Sequence, residues 1–428
     1  MRSTQALPGP VAHEEAPPLD SPSCRFCGSL LEHTLVDLGT SPLCESFVRP
    51  ERLNEMEPFY PLHVWVCDRC LLVQLEQYVA PEEIFTEYAY FSSFSTSWVE
   101  HARRYAEETS ERLSLSPASL VVEVGSNDGY LLQHFVARGV PVLGIEPAAN
   151  VARNAEERGV ETLVEFFGVE TAHRLAAAGT RADLLVGNNV FAQVPDLNDF
   201  VAGLRTLLAE NGVLTLEFPH LVRLIEGNQF DTIYHEHFSY FSLGTTRTIF
   251  AAHGLELFDV EELPTHGGSL RVHARHTGAP GPVSDAVEAL LRREEELGYG
   301  ALEPYASVAA RVEETKRALL EFLIAAKREG ASIAGYGAPG KGNTLLNYCG
   351  IRTDFLDYTV DRNPYKHGLF LPGTRIPIFP PEKIAETRPD YVLILPWNLR
   401  DEIVEQLDYV REWGAAFVIP IPTLEVVR

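Results

Sequence analysis

Apolar positions in this chain cluster in short runs that alternate with stretches of helical spacing. Residues 120–124 and 140–145 are mainly apolar runs of strand length, and residues 130–138 between them carry a helical pattern. Further runs at 183–186 and 212–217 continue the alternation, which predicts a doubly wound parallel sheet. A second series begins at 332–336, followed by a helix at 343–348 and strands at 358–360, 391–395 and 416–418. Between the two series, residues 283–329 are charged and helical in period, as in AVEALLRREEEL, and read as a connector. Ahead of the first series lie β-prone stretches at 62–66 and 71–75, then a helix at 98–113.

These patterns divide the chain into a disordered leader (1–20), a metal-binding domain (21–80), an α/β domain (81–282), a helical connector (283–329) and a C-terminal α/β domain (330–428). The expected fold class is α/β, with two Rossmann-like halves behind a small N-terminal module. A chain of 428 residues can bury several such cores.

Charge narrows the partners. The 35 Lys and Arg against 60 Asp and Glu leave a net charge of −25, the wrong field for nucleic acid or an anionic membrane surface. A small phosphorylated ligand held by local donors stays compatible. No apolar run approaches the ~20 residues of a membrane span. The Pro-rich, acidic start lacks the apolar segment of a secretory signal, so a cytoplasmic location is expected.

Four of the six cysteines form two pairs, Cys24-x-x-Cys27 and Cys67-x-x-Cys70. Two tight turns bearing two thiolates each supply the four soft ligands of tetrahedral zinc, and full occupancy by sulfur leaves no open position, so the site is expected to be structural. Buried free thiols are the alternative. Cys44 and Cys349 have no paired partner and read as core residues.

Directly after the first strand of the 81–282 region comes Glu123-Val124-Gly125-Ser126-Asn127-Asp128-Gly129-Tyr130. Small residues there let backbone approach a ligand, and the following helix N-terminus offers free N–H groups. The next strand ends in Glu146-Pro147, where a carboxylate can accept from ribose hydroxyls. The plain reading is a strand–turn–helix without a ligand. Asn188 and Asn189 follow another strand and face the expected crevice, or cap a helix. The stretch Tyr234-His235-Glu236-His237 can tune an imidazole as a base, or serve as polar packing. In the C-terminal half, Tyr336-Gly337-Ala338-Pro339-Gly340-Lys341-Gly342-Asn343 reads as a phosphate cradle at a helix start, with Lys341 as a point charge; the alternative is a second nucleotide fold that is structural only. Asp361 and Trp397 are weaker candidates.

The motifs EVGSNDGYLL, GIEP, FDTIYHEHFSYFS, THGGSLR and GYGAPGKGNTLLNY, in this order across residues 21–428, closely resemble the sugar C-methyltransferases of deoxysugar biosynthesis, including the C-3 methyltransferase of the tetronitrose pathway and relatives in antibiotic clusters. The resemblance implies a zinc-binding N-terminal domain, a class I methyltransferase domain and a C-terminal domain that helps hold a nucleotide-linked sugar. It implies S-adenosylmethionine as methyl donor, bound by Glu123, Gly125, Ser126, Asn127, Gly129, Glu146, Pro147, Asn188 and Asn189. The implied substrate is a dTDP-4-keto-6-deoxyhexose, methylated beside the ketone. The family's base falls on His237, its associated glutamate on Glu236 and its tyrosines on Tyr88 and Tyr234. Substrate contacts are expected at Gln193, His235, Tyr336, Gly337, Lys341 and Asn343. Gln193 departs from the family pattern, which has a histidine there; glutamine exchanges hydrogen bonds but does not titrate. On this reading Glu236 orients His237, and Tyr88 or Tyr234 donates to the enolate oxygen. Two other functions compete with this one: an NAD-type oxidoreductase or epimerase, disfavoured by the Gly125–Gly129 spacing, and a zinc-ribbon adaptor without catalysis.

Overall fold

The computed structural model describes residues 22–85 and 91–428. The leader and Tyr88 lie outside the described residues.

The N-terminal module is built on two turns and an antiparallel sheet. Cys24 and Cys67 each open a turn closed by a backbone bond, Gly28 N–H to the Cys24 carbonyl and Leu71 N–H to the Cys67 carbonyl, both 2.9 Å. The strands are β1 (His33–Ser41), β2 (Tyr60–Val66) and β3 (Val73–Leu75), paired His33 with Val66 and Val64 with Leu75. Leu35, Leu62, Val64 and Val73 are buried on one face of this sheet, in a core shared with Val312, Leu319 and Leu323 of the long helix Val308–Arg328. The helical period of residues 283–329 is thus realised as helices Asp285–Glu296, Glu303–Ala306 and Val308–Arg328, the last packing its apolar stripe on the N-terminal sheet.

The central sheet starts with β4 (Val121–Val124), β5 (Val142–Ile145), β6 (Thr162–Leu163), β7 (Ala182–Asn188) and β8 (Leu208–Pro219), all parallel to their neighbours. The chain then leaves this sheet: β9 (Ser239–Tyr240) pairs antiparallel with β3, Val73 opposite Tyr240, so the N-terminal sheet borrows its fourth strand from the middle of the chain. Next, β10 (Leu255–Leu263) and β11 (Ser269–His276) form a hairpin on the edge of β8, giving the order β10-β11-β8-β7-β4-β5-β6. This hairpin is not part of the predicted parallel alternation. Its five-residue link, 264–268, is too short for a crossover, so only antiparallel pairing is available. The resulting seven-stranded sheet is that of a class I methyltransferase.

The C-terminal sheet comprises β12 (Ile333–Tyr336), β13 (Tyr358–Val360), β14 (Ile378–Phe379), β15 (Tyr391–Ile394), β16 (Ala416–Ile419) and β17 (Glu425–Val427), ordered β14-β13-β12-β15-β16-β17 with only β17 antiparallel. The helix after β12 runs Gly340–Cys349, starting three residues earlier than its apolar spacing predicts; Gly350, left-handed at φ 73°, ends it.

Candidate active site

One cavity of about 650 Å³ opens between the carboxyl ends of β4, β5 and β7, the loop 229–238 and the glycine turn after β12. Its size is that of a small-molecule site. Gly125, Asn127, Glu146, Pro147, Asn188 and Asn189 line it. The glycine turn is shaped by three left-handed residues, Gly125, Asn127 and Gly129, at φ 70°, 47° and 76°. A β-carbon at Gly129 would sit 3.1 Å from Ala155 Cα, so this glycine serves close packing rather than ligand contact. The carboxylate of Glu146 accepts from Asn127 N–H at 3.0 Å and Ala148 N–H at 2.9 Å, one bond to each oxygen. Each oxygen keeps a second acceptor position. Burial pushes the Glu146 carboxyl above its ordinary range. Asn189, left-handed at φ 56°, holds a buried Oδ1 with no hydrogen-bond partner among the described residues.

Three members of the expected cofactor set lie elsewhere. Glu123, Ser126 and Gly129 do not line the cavity. Glu123 lies within β4, fully buried, and burial first, then Glu146 and Asp128, raise its carboxyl well above the usual range. Asp128 instead anchors a neighbouring segment: it accepts from Ser93 N–H at 3.3 Å and pairs with Arg158 at 3.4 Å, while Asn127 Oδ1 accepts from Ser92 N–H at 2.9 Å. Ser92 and Phe85, which flank residues 86–90, line the cavity.

The opposite wall carries His237. Three bodies hold its loop. β9 pairs with β3 of the N-terminal sheet, Phe238 N–H donates to the Ala192 carbonyl at 2.7 Å, and Thr344 Oγ donates to the Ile233 carbonyl at 2.9 Å. His237 Nδ1 bonds the Thr232 carbonyl at 3.0 Å. A carbonyl only accepts, so Nδ1 carries the hydrogen and Nε2 is left as the basic lone pair. A backbone carbonyl therefore orients the ring at Nδ1, and Glu236 Oε1 accepts from the Cys44 thiol at 3.5 Å. Tyr234 and Glu236 line the cavity, and the Tyr234 ring lies 4.1 Å from the His237 ring. Burial pulls His237 down to about 4, helped by His266 and Lys341. Burial also holds the Tyr234 phenol well above its usual range.

His235 turns the other way. Its Nε2 donates to the Pro61 carbonyl at 3.0 Å and its ring meets Tyr60 edge-on, so it fastens the loop to β2 and does not reach the cavity. Asn343 likewise leaves the expected substrate set: its side-chain amide donates to the Cys44 carbonyl at 2.6 Å. Gln193 does line the cavity, as do Tyr336, Gly337 and Lys341. Tyr336 O–H donates to Gln406 at 3.1 Å. A β-carbon at Gly337 would fall 2.6 Å from Pro396, so this left-handed turn (φ 89°) admits only glycine. Lys341 Nζ donates to Asn398 at 2.8 Å and lies 4.7 Å from the Trp397 ring centre. Burial lowers its basicity and Asp231 partly restores it. Asp231 itself is raised by burial to about 6, against the pull of Lys341 and of the Trp397 indole N–H at 2.7 Å.

Several cavity residues escaped the sequence reading. Cys44 and Glu45 come from the N-terminal module, Arg362 and Lys366 follow the weaker candidate Asp361, and His266 sits in the β10–β11 link within the quoted THGGSLR motif. Cys44 is buried as expected of a core residue, yet it also forms part of the wall. Only His266 had a sequence signal, a histidine beside two glycines in a motif already singled out.

The four paired cysteines meet away from this cavity. Their sulfurs all lie within 4.8 Å of one another, with Cys24–Cys70 and Cys27–Cys67 both at 3.6 Å. Zn–S bonds of about 2.3 Å place tetrahedral ligands about 3.8 Å apart, so the donor set fits zinc. Arg25, between the first pair, donates to the Pro195 carbonyl at 2.5 Å and ties the metal turn to the loop carrying Gln193.

Family models match three consecutive parts of the chain: a zinc binding domain at 24–85, a methyltransferase domain at 98–260 and a C-methyltransferase C-terminal domain at 264–422. The C-methyltransferase NovU of Streptomyces niveus is 38% identical over 410 residues, 96% of this chain and 97% of its own length. The chain belongs to the C-methyltransferase family. It is an S-adenosylmethionine-dependent C-methyltransferase with a zinc-binding N-terminal module. Among solved structures, a methyltransferase from Clostridium acetobutylicum matches 42% of this C-methyltransferase and 92% of its own chain at 10% identity (TM-score 0.35). The magnesium protoporphyrin IX methyltransferase of Synechocystis, with bound S-adenosylmethionine, matches 42% and 79% at 15% identity (TM-score 0.32). No helix among the described residues is long and apolar enough to cross a membrane.

Proposed function

We propose that this C-methyltransferase acts on a nucleotide-linked 4-keto-6-deoxy sugar, with dTDP as the nucleotide, at the carbon beside the ketone. The supporting observation is the make-up of this cavity: the glycine turn with Glu146, the turn bearing Gly337 and Lys341, and His237 all line it. S-Adenosylmethionine, when bound, supplies an electrophilic methyl group. Glu146 would take the ribose hydroxyls on its remaining acceptor positions, with Asn188 and Asn189 beside them. Lys341, with Tyr336 and Gly337, would meet the diphosphate, where a lysine acts as a point charge at the helix start.

His237 would then remove the proton. Its Nε2 lone pair is free because the Thr232 carbonyl holds the hydrogen on Nδ1. A base next to the reacting carbon contributes by position as well as basicity, since it faces the carbon without reorganisation. Glu236 and Tyr234 shape the same wall, and Gln193 offers hydrogen bonds without a titrating group. The test is direct: purified protein, S-adenosylmethionine and dTDP-4-keto-6-deoxyglucose, with mass spectrometry of the sugar. Gain of one methyl on carbon supports the reading. A nucleotide sugar that binds yet is never methylated under any donor concentration rejects it.

A further inference from the structure

The tip of the β10–β11 hairpin is held in a costly conformation. His266 sits at φ 54°, ψ 22°, followed by Gly267 and Gly268 at φ 89° and 119°. A left-handed histidine is uncommon, and such strain persists only where surrounding contacts impose it. Here the contacts are plain. Thr265 Oγ donates to Glu217 at 3.0 Å, and Glu217 is held by Arg271 at 2.8 Å and His101 at 2.9 Å. Burial opposes ionisation of Glu217, but those two partners outweigh it and keep its carboxyl below the ordinary range. From the other side, Gln229 donates to the Gly267 carbonyl at 2.8 Å and His220 N–H to the Gly268 carbonyl at 3.0 Å.

This clamp sets the His266 ring against Trp98, edge-on at 5.1 Å, and in the wall of the same cavity as His237. Its buried Nδ1 has no hydrogen-bond partner among the described residues. Burial and Lys341 pull this imidazole down to about 4, so at neutral pH it is uncharged and carries one N–H. The cavity is also polarised. Lys341 acts on both His237 and His266, with Glu217 opposing it at His266, whereas the carboxyl groups of Glu236 and Glu45 act on Tyr234. Negative charge developing on a substrate oxygen is better placed on the Lys341 and His266 side than beside Glu236.

We propose that His266 is a further catalytic residue, whose neutral imidazole donates the hydrogen bond that holds the substrate's carbonyl oxygen while His237 removes the neighbouring proton. The inference rests on the 4-keto sugar reading. The C–H pair moves into the carbon–carbon bond as the proton passes to His237 Nε2, and the carbonyl pair moves onto oxygen, which His266 holds. When the carbon then bonds the methyl carbon, the C–S pair leaves with sulfur, the carbonyl reforms and His237 returns its proton to solvent. A neutral histidine with depressed basicity is suited to this task, because its N–H donates without surrendering the proton to the enolate.

The experiment separates enolisation from methyl transfer. Enzyme saturated with S-adenosylhomocysteine is given dTDP-4-keto-6-deoxyglucose in D2O, and deuterium uptake beside the ketone is followed by NMR. His266→Gly suits the left-handed backbone and removes the donor without strain. Uptake should fall ~100-fold or more, the scale for losing one preorganised donor. S-Adenosylhomocysteine affinity and melting temperature should hold, and added imidazole should restore part of the uptake. A His266→Gly enzyme that exchanges like the parent, or whose loss imidazole does not relieve, overturns the role. Parent enzyme that binds S-adenosylhomocysteine but exchanges no 4-keto sugar nucleotide defeats the underlying reading, and His266 with it.

Discussion

His237 donates from Nδ1 to the backbone carbonyl of Thr232 at 3.0 Å, so the proposed base and the group that sets its tautomer lie five residues apart on one loop. A backbone acceptor cannot be mutated away. The consequence is that His237→Asn should remove the base while leaving the loop in place. Turnover should drop at least ~100-fold, the lower range for a lost general base. Calorimetric affinity for S-adenosylhomocysteine should not change. Retention of most activity would place the base elsewhere.

The pH profile follows from the same burial. His237 and His266 both sit near 4, below the ordinary histidine value. The acid limb of kcat/KM for the free enzyme should therefore fall well below pH 6.5. The stability effect has a definite sign. A histidine lowered on folding favours the native state above its unfolded pKa, about 6.5, and that contribution is lost as pH falls toward 4. Chemical denaturation between pH 7 and 4 should show declining stability, and the slope should be shallower in His237→Asn.

The metal site makes a structural prediction. Purified protein should hold about one zinc per chain, and Cys67→Ser should lower the melting temperature, as expected when a closed zinc site contributes to folding. Because β3 of that module pairs with β9, which follows His237 by two residues, zinc loss should also loosen the loop that carries His237. Hydrogen exchange at Tyr240 N–H reports this directly. Unchanged protection there after chelation would separate the two.

Glu146 should matter to cofactor binding alone. Glu146→Ala leaves the amides of Asn127 and Ala148 without their acceptor and removes the expected ribose contact. S-Adenosylmethionine affinity should weaken by about 1–3 kcal/mol, the scale for losing a charged acceptor. Nucleotide-sugar affinity, measured separately, should stay near that of the parent.

Much of the fold was legible from spacing. Strand β4 begins one residue after its predicted start, β13 coincides with 358–360, and the four zinc-type cysteines converge as their two C-x-x-C pairs suggest. Local chemistry carries these features: an apolar run of strand length between turn residues suits a short buried strand, and a C-x-x-C spacing puts both thiols on one turn. Gly125 and Glu146 were readable for the same reason, since each stands at a strand end that faces the crevice.

What the tertiary structure alone decided is which neighbour each polar side chain meets. His235 and His237 are two apart in one motif, yet one bonds Pro61 on the N-terminal sheet and the other lines the cavity. Asn343 looks like part of a phosphate cradle, but its amide is taken by the Cys44 carbonyl, 299 positions away. His266 gains its place from Glu217, Gln229 and His220, none of them near it in sequence. Residue type and short-range spacing determine strands, turns and metal knuckles because those interactions close within a few residues. Contacts such as those of His235, Asn343 and His266 close between distant parts of the chain, and the sequence of one loop carries no record of the partner that packing brings to it.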